Sequence, residues 1–230
     1  MAVIMTKAAL PSAEKTVADR TLSPVDRAYN YILEGIVSGT FEPGMRIPTE
    51  SVADELGVSR MPVRDALRRL EGDGVVMIFA NRGASIAEYS YNEVIELTEM
   101  RSVLEGLAAR VALNRITDAD LEQLSHLLRL MDKSRNDLTR WTSYHDDFHN
   151  YLTSLSGRPL LMQQTKRIRL MLRPYFGRYF ANTNETEIPG LEHQRIIDTI
   201  VKKDPDELER VVRAHAQVNV LKVASFAQRP

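Results

Sequence analysis

The five histidines of this chain are placed in a pattern that suggests one shared ligand site. Helical spacing predicts that four of them lie on the apolar faces of three helices: His145, His149, His193 and His215. A buried neutral imidazole needs partners for its ring nitrogens, and four converging imidazoles can meet that need by binding one cation. His126 is predicted to point away from the apolar face of its own helix and is therefore excluded from the candidate ligands.

Residue spacing alone leaves two interpretations of these histidines open. A single buried histidine is more often a hydrogen-bonded core residue than a metal ligand. Four of five on inward faces favour a shared metal ion, and His145 and His149 have the i, i+4 spacing that puts two ligands on one helix face. We therefore predict a metal site.

A row of arginines is the second feature with functional chemistry. Arg60, Arg64 and Arg68 recur at every fourth residue and form one stripe beside the apolar face of a predicted helix. Guanidinium groups placed in this way can bond guanine edges or phosphates in the major groove. Arg82, at the tip of a predicted hairpin, could reach the minor groove or the DNA backbone. The alternative is an ordinary solvated charged face.

The elements that must position the arginines occupy residues 22–88. Their order is helix, short helix, turn, helix and hairpin, with Ser59 predicted to cap the third helix. The two strands of the hairpin are expected at 75–79 and 84–89. This order is a winged helix-turn-helix, and residues 1–21 are expected to form a flexible N-terminal tail.

The histidines fall in a second region, residues 90–230, where strand signals disappear. Six helical segments are predicted there, at 91–114, 118–136, 138–155, 159–181, 189–203 and 205–226. Pro174 should kink or split the fourth of these segments. The fold class is therefore mainly α: an N-terminal winged helix-turn-helix plus a C-terminal all-α antiparallel helical bundle.

Composition limits the classes of protein to consider. Hydrophobic residues make up 43% of the chain, which is enough for true cores, and there is no cysteine for a disulfide or a thiolate site. No apolar run approaches the roughly eighteen residues of a membrane span, and the short apolar run from Ala2 to Met5 is not expected to serve as a secretory signal. A cytoplasmic protein with no membrane partner is expected. The formal net charge of −1 means that any DNA-binding surface is a local patch.

The first region resembles the GntR family of bacterial regulators. The matching residues are Phe41-Glu42-Pro43-Gly44, Glu50, Ala53, Leu56-Gly57-Val58-Ser59-Arg60, Pro62-Val63-Arg64-Asp65-Ala66-Leu67, Leu70-Glu71 and Gly83. The resemblance implies that a homodimer binds double-stranded operator DNA, with Arg60 and Arg64 as the main contacts to bases or phosphates and Ser59 in support. Arg68, in the same stripe, and Arg82, at the hairpin tip, complete the set of residues predicted to contact DNA.

The second region resembles the FCD sensor domain of the FadR-type branch of that family. The matching residues are Met100-Arg101, Glu105, Ala109, Phe148-His149, Ser156-Gly157, Glu192-His193, Ile196, Ile200 and the segment from Asp204 to His215. Many such domains bind zinc, nickel or a related ion through three histidines and one acid, which implies His149, His193 and His215 as ligands here. The family usually has Asp or Asn four residues before His149. This chain has His145 there, with Asp146 as the alternative ligand.

Ligand chemistry suggests the cofactor and the effector. An all-nitrogen ligand set favours a divalent transition metal over magnesium or calcium, and we expect zinc, with nickel as the alternative. Arg101 either forms an exposed helix pair with Glu105 or points inward to receive a carboxylate, for which its planar fork is suited. The resemblance to FCD domains implies a sensor of small organic acids that bind beside the metal. It therefore also implies that Arg101 points inward. Tyr144, Arg169 and Arg173 are candidates for further effector contacts.

The resulting hypothesis is a ligand-responsive bacterial transcription regulator, a repressor as is usual in this family, and not an enzyme. Two alternatives stay open. A bound metal could activate water, as in a metal-dependent hydrolase, although no carboxylate is clearly placed as a general base. The metal could also be purely structural, with no effector.

Overall fold

The structure is a computed structural model that describes residues 22–80, 82–182 and 189–227. The tail expected at residues 1–21 lies outside this part of the chain. The chain divides into two compact units between Ala87 and Glu88. Among the described residues, none of the helices combines the length and the hydropathy that a membrane span requires.

The first unit is a small helical domain with one three-stranded antiparallel sheet of order β1-β3-β2. Its elements are α1 (Pro24–Val37), β1 (Arg46–Ile47), α2 (Thr49–Leu56), α3 (Arg60–Gly72), β2 (Val76–Phe79) and β3 (Gly83–Ile86). The predicted hairpin is present as β2 and β3, but β3 ends at Ile86. The backbone N–H of Tyr89, which was expected in this strand, donates a hydrogen bond to the Tyr175 hydroxyl instead. The sequence did not predict the two-residue strand β1, because a strand this short cannot show an alternating pattern.

Helix α3 is held by one buried face and by two contacts to α1. The buried face consists of the four apolar residues expected from their spacing: Val63, Ala66, Leu67 and Leu70. Arg69 pairs with Asp26 at 2.9 Å, and Tyr29 donates a hydrogen bond of 2.8 Å to Asp73. Ser59 occupies the N-cap position of α3 as predicted, although its side chain makes no capping hydrogen bond.

A close contact between α1 and the segment that follows it gives a first testable prediction. A β-carbon added at Gly35 would lie 2.4 Å from the ring of Phe41, which is only 1% exposed. Because that ring cannot move without opening the core, we expect Gly35→Ala to lower the free energy of unfolding by about 1–3 kcal/mol. This loss should exceed the gain from the higher helix propensity of alanine. Urea unfolding of the variant and the wild type measures the difference.

Gly72→Ala is the matched control for this prediction, because a β-carbon at Gly72 meets no atom within 4 Å. We expect this variant to be neutral or up to about 1 kcal/mol more stable than the wild type. If Gly35→Ala is as stable as the wild type, the Phe41 ring is not packed against α1 as described.

The second unit is all-helical within the described residues. Its helices are α4 (Tyr91–Ala112), α5 (Asp118–Lys133), α6 (Leu138–Ser154), α7 (Pro159–Asn182), α8 (Pro189–Lys202), α9 (Pro205–Ala216) and α10 (Val220–Ala224). Pro174 does not split α7, which continues on both sides of it. The last predicted segment forms two helices, because Asn219 adopts a left-handed conformation with a φ of 60° that cannot continue an α-helix.

Helix α4 occupies the central position of the second unit, where it packs against α6, α7, α9 and α10. It begins with a capping box in which Ser90 and Glu93 each accept a hydrogen bond from the other's backbone amide. Helices α6, α8 and α9 share an apolar core that includes Trp141, Phe148 and Ile196. The predicted ligand histidines lie on these same three helices.

Candidate metal centre and DNA-binding surface

The four predicted histidines come together inside the second unit. One ring nitrogen from each of His145, His149, His193 and His215 lies within 4.8 Å of the others. Nε2 of His149 is 3.1 Å from Nε2 of His193 and 3.2 Å from Nε2 of His215. His126 is exposed on α5, in agreement with its exclusion.

Helix geometry and aromatic packing hold these rings in place. His145 and His149 lie one turn apart on α6, while His193 comes from α8 and His215 from α9. His145 stacks on Trp141 with ring centroids 4.9 Å apart. The rings of His149 and His215 are stacked at 5.0 Å. The protein itself therefore arranges the four imidazoles as one cluster.

Burial favours the neutral form of these imidazoles. It lowers the pKa of His145, and it lowers the pKa of His149 and of His215 well below the ordinary value for histidine. The positive charge of Arg169 acts on the pKa of His149 in the same direction. A neutral imidazole offers a lone pair, which is the form that binds a metal ion.

The geometry and the donor set of the cluster fit a transition-metal ion. Nitrogens bound to one tetrahedral zinc ion at about 2.0–2.1 Å would lie about 3.4 Å apart, close to the two Nε2 separations given above. Nδ1 of His215 is buried and has no hydrogen-bond partner among the described residues. Direct hydrogen bonds therefore do not satisfy every ring nitrogen of the cluster. Four imidazoles without a carboxylate suit zinc, nickel or copper and not magnesium or calcium.

Asp146, the alternative ligand, lies beside the cluster and is not part of it. Its carboxylate pairs with Arg173, and its Oδ1 is 3.8 Å from Nδ1 of His145. Burial alone would raise the pKa of Asp146, but the Arg173 guanidinium and His145 hold that pKa well below its usual range. The carboxylate is charged and already has a partner.

The buried imidazoles should make the stability of the metal-free protein depend on pH. Below pH 6.5 the histidines of the unfolded chain take up protons, whereas His149 and His215 stay neutral in the folded state. We expect the free energy of unfolding to fall from that pH to about pH 5, by up to about 1.4 kcal/mol per pH unit for each of these two imidazoles. Urea unfolding of chelator-treated protein measures this dependence. A constant free energy across the range would contradict neutral, buried rings.

Arg101 and Arg169 lie in the interior of the second unit. Arg101 is 6% exposed and Arg169 is 7% exposed. The interpretation of Arg101 and Glu105 as an exposed helix pair is therefore wrong. Glu105 is itself 3% exposed, and its Oε1 lies 3.2 Å from Nε of Arg169 and 3.9 Å from Nε of Arg101. Two buried guanidinium groups share one carboxylate.

The hydrogen bonds of Arg101 and Arg169 to neighbouring residues do not satisfy every N–H group of the two guanidinium groups. Arg101 donates to the carbonyl oxygen of Ala216, and its guanidinium lies 5.0 Å from the ring centroid of Phe176. Burial lowers the pKa of Arg101 to about 10, which leaves it charged at neutral pH. Nε of Arg101 and Nη2 of Arg169 are buried and have no hydrogen-bond partner among the described residues. A carboxylate is an anion that such a fork of donors can bind through two hydrogen bonds.

The other residues predicted to contact an effector have different surroundings. Tyr144 is half-buried and packs against the core of α6, α8 and α9. Arg173 is engaged by Asp146. Sequence reasoning did not identify Glu105 as a functional residue. Its only signal in the sequence was the i, i+4 spacing from Arg101. Its contacts to α6 and α7 depend on the tertiary fold.

The residues predicted to contact DNA are all exposed on the first unit: Ser59, Arg60, Arg64, Arg68 and Arg82. On α3, Arg60 pairs with Glu50 at 2.8 Å, and Arg68 lies 3.5 Å from Asp65. Exposed ion pairs of this kind contribute at most about 1 kcal/mol, so DNA phosphates can displace the carboxylates. The arginine row is therefore available to a nucleic acid.

The wing, formed by β2, β3 and the turn between them, carries a nearby basic residue that the sequence pattern did not single out. Arg46 on β1 lies against Gly83, because a β-carbon at Gly83 would be 3.3 Å from the Arg46 guanidinium. Gly83 also has a φ of +83°, a conformation that residues with a β-carbon rarely adopt. Arg46 is exposed and adds positive charge beside the turn that holds Arg82.

Comparisons with known protein families and sequences match both units. The model for bacterial regulatory proteins of the gntR family matches residues 24–86, and the model for the FCD domain matches residues 96–218. The Nta operon transcriptional regulator of Aminobacter aminovorans is 31% identical over 182 residues, which cover 79% of this chain and 85% of that protein. The HTH-type transcriptional repressor RspR of Escherichia coli is 27% identical over 192 residues, covering 82% and 84%.

A solved structure with a similar fold supports the same architecture. Escherichia coli McbR/YncC matches with a TM-score of 0.78 at 20% identity, over 89% of this chain and 99% of that one. At this level of identity the likeness concerns the fold alone. The matching families and relatives are transcription regulators and not enzymes, which sets the hydrolase alternative aside.

Proposed function

This chain belongs to the GntR family of bacterial regulatory proteins and carries an FCD domain, and we propose that it is a ligand-responsive transcription repressor. In this proposal a homodimer binds operator DNA through α3 and the wing, and the second unit binds a metal ion beside a small organic acid. The observation that carries the proposal is a pair of incompletely bonded, buried arginines near four converging imidazoles. Such an arrangement suits a carboxylate held next to a metal ion.

Helix α3 is the element proposed to enter the major groove. Its apolar face anchors it to the first unit, and Arg60, Arg64 and Arg68 remain on the exposed side. Among the described residues, Arg64 forms no ion pair, so its guanidinium is available for a bidentate bond to a guanine edge. A homodimer would place two such helices in successive turns of the groove of a palindromic operator.

The proposed metal ligands are His145, His149, His193 and His215, with zinc as the first choice and nickel as the alternative. When bound, the metal would supply a Lewis-acidic position for a carboxylate oxygen. Arg101 and Arg169 bind and orient the acid through their N–H groups, and the burial of both arginines excludes competing water.

Repression is proposed because the related RspR of Escherichia coli is named as a repressor. Acid binding would shift the dimer towards a spacing of its two α3 helices that no longer matches the operator half-sites. The operator would then be released. We place the protein in the cytoplasm, where bacterial DNA is found.

A gel-shift titration on the intergenic DNA upstream of the gene tests this proposal. We expect a specific complex whose affinity falls steeply with salt, and at least one acid from a panel of mono-, di- and tricarboxylates should dissociate it. A random duplex of equal length is the control. Equal affinity for both duplexes would overturn operator binding, and a complex that no acid alters would overturn the effector.

A purely structural metal is the competing interpretation, and chelation separates the two. Loss of a structural metal would lower the Tm without any acid-dependent change in DNA binding. Loss of a sensor metal should abolish the response to the acid. Melting and gel shift are measured on the same chelated sample, before and after zinc is restored.

A further inference from the structure

Glu105 on α4 lies between the arginine pair and the candidate metal centre. Its Oε1 is 3.2 Å from Nε of Arg169 on α7 and 3.9 Å from Nε of Arg101. Its Oε2 is 3.8 Å from Nδ1 of His149 on α6. Only 3% of the Glu105 side chain is exposed. One buried carboxylate therefore faces both the arginines and a proposed metal ligand.

This arrangement leaves three buried atoms without hydrogen bonds. Oε1 of Glu105, Nε of Arg101 and Nη2 of Arg169 have no such partner among the described residues. Unsatisfied buried polar atoms destabilise a fold, so each one needs an explanation in ligand binding or rearrangement. The contacts of 3.8 Å and 3.9 Å are longer than hydrogen bonds, so the Glu105 carboxylate is fully bonded to neither His149 nor Arg101.

We propose that Glu105 is a positioning residue that couples the metal centre to the arginine pair, an inference that rests on the proposed metal site. Nδ1 of His149 lies 3.8 Å from Oε2 of Glu105, so a small shift of the carboxylate is enough for Nδ1 to donate a hydrogen bond to it. This bond fixes the tautomer in which Nε2 of His149 carries its lone pair towards His193 and His215. A carboxylate on the far nitrogen of a ligating histidine also orients the ring and raises its basicity.

In this proposal the coupling arises because Arg169 and His149 draw on the same carboxylate group, Arg169 through Oε1 and His149 through Oε2. An acid that binds the arginines releases Glu105 towards His149 and thereby strengthens metal binding. By thermodynamic linkage, the metal strengthens acid binding by the same factor.

Zinc affinity of the full chain, measured by competition with a chelating indicator, tests the role of Glu105. Glu105→Gln should weaken zinc binding by about 10- to 100-fold. The matched control is Glu209→Gln, which alters ion pairs with Arg110 and Arg213 and should leave zinc binding unchanged. Equal zinc affinity of Glu105→Gln and the wild type would overturn the inference. A wild-type chain that binds no zinc would overturn the metal centre as well.

A double-mutant cycle tests whether Arg169 acts through Glu105. Arg169→Gln should tighten zinc binding in the wild-type background, because it frees the carboxylate for His149. The same substitution should have a smaller effect in the Glu105→Gln background. Equal factors in the two backgrounds would show that Arg169 acts on the metal only through its own charge, which contradicts the coupling.

Nitrogen-15 NMR of the histidines in metal-free wild-type protein tests the tautomer without any variant. We expect the proton of His149 on Nδ1 and none on Nε2. A proton on Nε2 would overturn the inference even if Glu105→Gln fails to fold, and this measurement does not depend on metal binding.

Discussion

Replacing Arg64 with alanine is expected to weaken operator binding by about 1–3 kcal/mol, or roughly 5- to 150-fold, while leaving the fold intact. The reason is that Arg64 is exposed in the middle of the arginine row of α3, beside the buried face. A lost base contact should also reduce discrimination between the operator and a random duplex. Fluorescence anisotropy with both labelled duplexes measures the two affinities.

Arg129→Ala is the matched control, because it removes one exposed arginine from α5 in the other unit. Its operator affinity should stay close to that of the wild type, and both variants should keep their stability within about 0.5 kcal/mol. Operator affinity that survives Arg64→Ala would remove α3 as the reading element. A parallel loss for both variants would indicate nonspecific attraction to charge.

Replacing His149 with phenylalanine is expected to abolish stabilisation by zinc. In the wild type, zinc at one hundred times its Kd should raise the free energy of unfolding by about 2.7 kcal/mol, which corresponds to a Tm increase of about 5–11 °C. His149 is chosen because its Nε2 lies within 3.2 Å of two other ligand nitrogens. Thermal melting of chelated protein with and without zinc measures the effect.

His126→Ala supplies the control for nonspecific zinc binding, since this histidine is exposed on α5. The variant should keep the full Tm increase. If His149→Phe keeps the zinc response and His126→Ala loses it, the ion binds at the surface and not within the imidazole cluster.

Strong helical periodicity explains which features the sequence was able to predict. The buried stripe of α3 and the inward faces carrying His145, His149, His193 and His215 follow from a period of 3.6 residues, and the structure shows both. The exposure of His126 follows from the same rule. Weak local signals fared less well. Neither the two-residue strand β1 nor the left-handed Asn219 has a periodic pattern to mark it.

The surroundings of the site depend on contacts between helices that are distant in sequence. Spacing showed Arg101 and Glu105 as neighbours on one helix but could not decide whether they were buried. The Arg169 contact of Glu105 and the pairing of Asp146 with Arg173 both come from α7. Side-chain pairing between separate helices leaves no trace in the periodicity of either, so these features became visible only in the fold.

The central claim is that four imidazoles of the second unit bind one transition-metal ion, and X-ray absorption at the zinc edge tests it most directly. Wild-type protein loaded with zinc should contain one ion per chain, with four imidazole nitrogens at about 2.0–2.1 Å. A carboxylate oxygen could add to this shell when an acid is present. A first shell dominated by oxygen, or a chain that retains no zinc after gel filtration, would contradict the account.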